Sequence, residues 1–140
     1  MREIALDTQA ATTVAIIDDG CVLGRAQNDS GRHHAESITP LVREALAAAG
    51  LPAQLAHAGV DRVLVGTGPA PFTGLRAGLV SARVLASVAG VPAYGVSALD
   101  VIARQGLDLL APDTRVYAIA DARRRELYWG SYVAAGPDDV

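Results

Sequence analysis

The 140-residue sequence has no lysine: all 12 of its basic residues are arginine. That absence removes the phosphate-gripping Walker A loop, whose Lys reaches the terminal phosphates of a nucleotide. A single cysteine, Cys21, excludes an intrachain disulfide framework and a thiolate zinc site, and fits a reducing cytoplasm. No window reaches the roughly 18 consecutive apolar residues of a membrane helix. The start, Met1-Arg2-Glu3-Ile4, lacks the apolar stretch of a signal peptide. The expected location is therefore the cytoplasm, away from membranes. Positive charge is scarce too, with a net charge of −3, so no broad basic field is present to hold nucleic acid and only a local basic spot remains open.

What is present is apolar: hydrophobic residues are 51% of the chain, charged ones 19%, and 27 residues are Ala. Such a composition folds, and the length is that of one ordinary domain. Ile4-Ala5-Leu6 reads as a short buried strand ending in Asp7-Thr8, and Thr13 to Ile17 as a second, β-branched strand. Asp18-Asp19-Gly20 predicts a hairpin, because Gly accepts the positive φ of such turns, with Cys21 to Ala26 returning. Ile38, Leu41, Val42, Ala45, Leu46 and Ala49 then recur at helical spacing up to Gly50. Pro40 sets either the start of that helix or a kink near its beginning. Arg62 to Gly66 is a fully apolar strand, followed by the loop Thr67 to Phe72 and by Thr73 as a candidate N-cap.

The helix from Thr73 to about Ala89 has two apolar faces. Leu75, Gly78, Leu79, Ala82, Ala86 and Ala89 form one; Val80, Val84 and Val88 form the other, with only Arg76, Arg83 and Ser87 as a polar seam. A helix lying on its own sheet needs one apolar face, and little of so short a chain is left to cover the second. The helix is either central and covered on both sides by this chain or buried on its second face against a partner, and the partner is the expectation. Ala93 to Val96 reads as a strand, Ser97 to Leu110 as a helix with Leu99, Ile102, Ala103, Gly106 and Leu110 on one side, and Val116 to Asp121 and Glu126 to Val133 as two strands joined by Ala122-Arg123-Arg124-Arg125. The order predicts an α/β lobe followed by the start of a second, similar one.

Little chemistry is visible in the motifs. Gly66-Thr67-Gly68-Pro69-Ala70-Pro71 begins like a dinucleotide fingerprint but has Pro71 where the last Gly belongs. Amides at Thr73 and Gly74 are candidates for an anion contact, against which Pro69 and Pro71 each lack an N–H. His33 and His34 are adjacent and point about 100° apart on a helix, unlike an i, i+4 metal pair. His57 reads as a surface loop residue. No serine sits in a nucleophile elbow. Asp7, after an apolar strand, suits either a magnesium-linked phosphotransfer role or a turn-capping role. Arg123 to Arg125 read as a solvated turn or as an RNA contact.

Four segments together resemble the TsaB family, also called YeaZ: Ile4-Ala5-Leu6-Asp7-Thr8, Arg32-His33-His34-Ala35-Glu36, Gly68 to Arg76, and Ile119-Ala120-Asp121-Ala122-Arg123. Their order and spacing match across nearly the whole chain. The resemblance implies an α/β fold of the actin, sugar-kinase and heat-shock ATPase superfamily. Residues 1–97 would be the actin-like N-terminal lobe, and 98–140 a linking helix with the first hairpin of an incomplete second lobe. A fragment or shortened member is expected, since the family carries a complete second lobe.

The resemblance further implies a subunit with no catalytic residues, metal or cofactor of its own. It would partner TsaD, with TsaE, in the bacterial complex that transfers threonylcarbamoyl to the adenosine beside the anticodon of ANN-decoding tRNAs. ATP and metal would sit on TsaD, tRNA would be reached only through the complex, and a homodimer is the other assembly. TsaD's His-x-x-x-His pair is missing here, so no peptidase activity is expected. The implied interface is Leu41, Arg76, Val80, Arg83, Val84 and Val88; the implied nucleotide-proximal loop is Asp7, Thr8, Thr73 and Gly74. This chain departs from the family at Ala70 and Pro71, where Gly and Ser are usual, and at Gln9, where Ser is usual. Two alternatives stand beside it: a degenerate ATP-dependent small-molecule kinase using Asp7 and the Thr67 to Thr73 loop, and an RNA-binding module centred on Arg123 to Arg125.

Overall fold

The computed structural model describes residues 1–30, 34–70, 72–111 and 113–134. Three strands, β1 (Arg2–Asp7), β2 (Thr12–Asp18) and β3 (Cys21–Asn28), open the chain as an antiparallel meander. The β2–β3 turn places Asp19 and Gly20 at φ +46° and +79°, the left-handed geometry of a tight hairpin. Helix α1 (His34–Ala48) and a single 3₁₀ turn at Leu55–His57 lead to β4 (Arg62–Gly66), then α2 (Phe72–Ala89) and β5 (Ala93–Val96). The five strands form one sheet in the order β3-β2-β1-β4-β5, with β4 parallel to β1 and β5 parallel to β4. Strand alternation sends Ile4, Leu6, Val14, Ile16, Val63 and Val65 to one face, where Ile38, Val42, Leu46, Ala82 and Ala86 of α1 and α2 meet them in a single core. Gly24 lets α1 lie on β3: a Cβ there would collide with the backbone of Ala45 and Ala49.

The other face of the sheet, bearing Ala5, Ala15 and Leu64, looks onto a cavity of about 390 Å³ closed on one side by Val101 and Ile102 of α3 (Ala98–Leu107). Strands β6 (Arg115–Arg123) and β7 (Glu126–Val133) make a separate antiparallel pair. The inner face of that pair buries Ala118, brings Val116 under Gly106 of α3, and is tied to α3 by the Tyr132 hydroxyl, which donates to Asp100 Oδ1 at 2.8 Å. Its outer face leaves Tyr117, Ile119, Leu127, Trp129 and Val133 exposed, with the Tyr117 and Trp129 rings 6.4 Å apart at 45°.

Helix α1 runs from His34 through Pro40, which sits exposed in the second turn, so of the two readings of that proline the one that holds is its accommodation close to the helix's beginning. Three sequence expectations are corrected. Helix α2 begins at Phe72, so Thr73 is inside its first turn and does not cap it. Helix α3 ends at Leu107; it packs chiefly on the β6–β7 pair and buries Ala103, while Ile102 and Leu110 are exposed. The last hairpin turn is only Arg124-Arg125, since β6 continues to Arg123. Among the described residues no helix is long and apolar enough to cross a membrane.

Candidate interaction surface and the loop beside it

One side of α2 is spent on the core. Ala82 and Ala86 are buried, and Gly78 is pressed against the Thr8 side chain so closely that a Cβ would overlap Thr8 Oγ1. The opposite side is bare. Val80, Val84 and Val88 are 63%, 56% and 59% exposed, and their four-residue spacing stacks them into one stripe along the helix. Arg76 and Arg83, both exposed, rim one edge of that stripe. Leu41 does not join it: at 5% exposure it belongs to the chain's own core, where the buried face of α1 meets the sheet and α2. Helical spacing placed Leu41 on an apolar face but could not say which neighbour covers it.

The loop between β4 and α2 is pinned from the next strand. The Thr67 amide and Thr67 Oγ1 both donate to the Val96 carbonyl, at 2.8 and 3.1 Å, and the Ala98 amide donates to the Gly68 carbonyl at 2.7 Å. Thr8 is buried and donates to the Gly74 carbonyl at 2.8 Å, so these two residues join the end of β1 to α2 and neither faces outward. Thr73 is exposed in the first turn. Asp7 Oδ1 accepts the Gln9 amide at 2.7 Å, the turn-capping geometry of an Asx turn. Asp7 Oδ2 lies 2.7 Å from where a Cβ on Gly66 would stand, and Gln9 Nε2, 3.1 Å from that point, is buried without a partner among the described residues. The four loop residues therefore split into a packing pair, Thr8 and Gly74, and two outlying groups, Asp7 and Thr73. Gly66 and Gln9 are the residues that spacing alone did not bring to this corner, because their contact joins two strands across the sheet.

No group of three His, Cys, Asp or Glu side chains that could hold a metal occurs among the described residues. His57 is exposed on the 3₁₀ turn and Cys21 is exposed at the start of β3. His33 lies outside the described residues, as does the side chain of His34. At the far hairpin, Arg124 and Arg125 are exposed with φ +53° and +66°. The hydrogen bond to Asp100, with burial, raises the Tyr132 phenol above its ordinary range.

The comparisons with known proteins agree with this architecture. The family described as TsaD, tRNA N6-adenosine threonylcarbamoyltransferase, matches residues 26–139. A protein of Mycobacterium tuberculosis H37Rv without an assigned function is 46% identical over 132 residues, covering 92% of this chain and 58% of that one. The tRNA threonylcarbamoyladenosine biosynthesis protein TsaB of Escherichia coli K12 is 37% identical over 133 residues, covering 94% of this chain and 55% of its own length. The solved structure of YeaZ from Pseudomonas aeruginosa superimposes with a TM-score of 0.79 at 34% identity, covering 95% of this chain and 60% of the other. This chain thus spans a little over half the length of these relatives. The class defined by sheet order, helix placement and these likenesses is the N-terminal lobe of an actin-like ATPase-type fold. Within that class the chain belongs to the TsaB (YeaZ) family.

Proposed function

We propose that this chain is a non-catalytic assembly subunit in the synthesis of threonylcarbamoyladenosine on tRNA, docking TsaD through the valine stripe of α2. One observation carries the reading: three valines exposed in a row on a helix whose opposite side is already buried. Exposed apolar surface of this kind marks a partner site, and truncating or charging its centre breaks association more readily than fold. Relatives named for threonylcarbamoyladenosine biosynthesis and a relative named tRNA N6-adenosine threonylcarbamoyltransferase supply the context. TsaE joins the assembly, tRNA reaches the chain through the complex, and a homodimer through the same stripe forms when TsaD is absent. ATP and metal belong to TsaD: here Asp7 Oδ1 is engaged by the Gln9 amide and Thr8 is buried under α2, which supports a chain without nucleotide chemistry of its own. Calorimetry of the isolated chain with ATP is expected to show no tight binding; tight binding would favour the kinase reading.

The decisive experiment is co-purification with the cognate TsaD followed by size-exclusion chromatography of Val84→Glu. The substitution is expected to dissociate the complex while leaving the chain folded. A complex that elutes unchanged overturns the assignment of the stripe.

A further inference from the structure

The β6–β7 turn is built against local preference. A two-residue turn with both central residues at positive φ is normally filled by Asn-Gly or Asp-Gly, and the β2–β3 turn obeys this with Asp19-Gly20. The β6–β7 turn instead holds two arginines, Arg124 at φ +53° and Arg125 at φ +66°. A side chain with a Cβ is strained there, and such strain concentrates where function requires it. Both side chains are exposed, and neither makes an ion pair among the described residues. Four other arginines are engaged, Arg2 with Asp18, Arg62 with Glu3, Arg104 with Asp108, and Arg115 with the Ser131 hydroxyl, whereas Arg43 and Arg83 are exposed on helices of ordinary geometry. The turn therefore presents two guanidinium forks outward on a chain that is acidic overall.

We infer that the Arg124-Arg125 tip is a phosphate-contacting site for an RNA backbone. Guanidinium is the side chain suited to bidentate phosphate contact. The tip has no glycine-rich amide cradle, and two cavities among the described residues open beneath and beside α3 instead. A nucleotide needs enclosure, whereas phosphates on an extended polyanion need only exposed donors that fix its path. The choice of RNA rests on the assembly function proposed above; the exposed, strained arginine pair does not.

The test replaces the pair with the residues the turn prefers, Arg124→Asn together with Arg125→Gly. Binding of tRNA to the complex of the full chain with TsaD is measured by fluorescence anisotropy over a range of salt. The expected result is an affinity lower by about tenfold and a log–log salt slope shallower by roughly 1.5, since each lost phosphate contact removes roughly 0.7–0.9. The complex should elute unchanged, and thermal stability should hold or rise. Unchanged tRNA affinity and slope overturn the site. A variant that loses ATP affinity and keeps tRNA affinity overturns it too, giving the tip to a free nucleotide. If the unaltered chain fails to bind TsaD, the assembly function falls, and the same comparison on the chain alone still decides the tip.

Discussion

The Arg2 guanidinium reaches Asp18 on the neighbouring strand at 2.9 Å and donates to the Ala58 carbonyl at 2.8 Å, so one side chain ties β1 to β2 and to the segment before β4. That contact holds the Asp18 carboxyl below its ordinary range. A carboxyl depressed in the folded state adds stability above its unfolded pKa, near about 3.9, and loses it as pH falls through the folded value. Denaturant titrations at descending pH should show this loss in the native chain, and Arg2→Met should flatten it. The glycines make a sharper prediction. Gly78→Ala would drive a methyl into Thr8, and Gly24→Ala into the α1 backbone, so each should destabilise by about 1–3 kcal/mol in chemical unfolding. Gly24 should cost the more, because backbone atoms yield less than a side chain.

Among the elements, α2 was the most legible in the sequence. Its two apolar faces were separable by a period of about 3.6 residues alone, and the structure buries one and leaves the other bare. Val84→Glu should accordingly change thermal stability by no more than about 0.5 kcal/mol, since exposed positions tolerate substitution. The strands of the first sheet were equally legible, because β-branched alternation and Asp19-Gly20 speak locally. What could not be seen was which surface each apolar face meets. Leu41 reads as well on an interface as in a core, and Ile102 as well in a core as in the open. The candidate loop shows the same limit. Asp7 was visible as a carboxylate after a strand, but its use as a turn cap depends on the Gln9 amide, and the space beside it depends on Gly66 one strand away.

At the scale of the molecule, two apolar surfaces lie on separate elements: the valine stripe of α2 and the outer face of the β6–β7 pair. The second is anchored to the rest of the chain through α3, partly by the Tyr132–Asp100 hydrogen bond. Because the phenol is raised in the folded chain, its contribution is present below the ordinary tyrosine pKa of about 10 and lost as pH rises through the folded value. Tyr132→Phe should leave the first sheet intact and remove that alkaline loss, as followed by circular dichroism.

The outer face of the hairpin also carries the chain's single tryptophan, Trp129, at 65% exposure. An indole so open to water emits at the long-wavelength end of its range and is readily reached by a collisional quencher. Any layer laid over that face would shift the emission to the blue and shield it, whereas a partner seated on α2 would leave it unchanged. The protein thus carries its own optical label, able to tell without any chemical modification which of its two bare surfaces an incoming chain has covered.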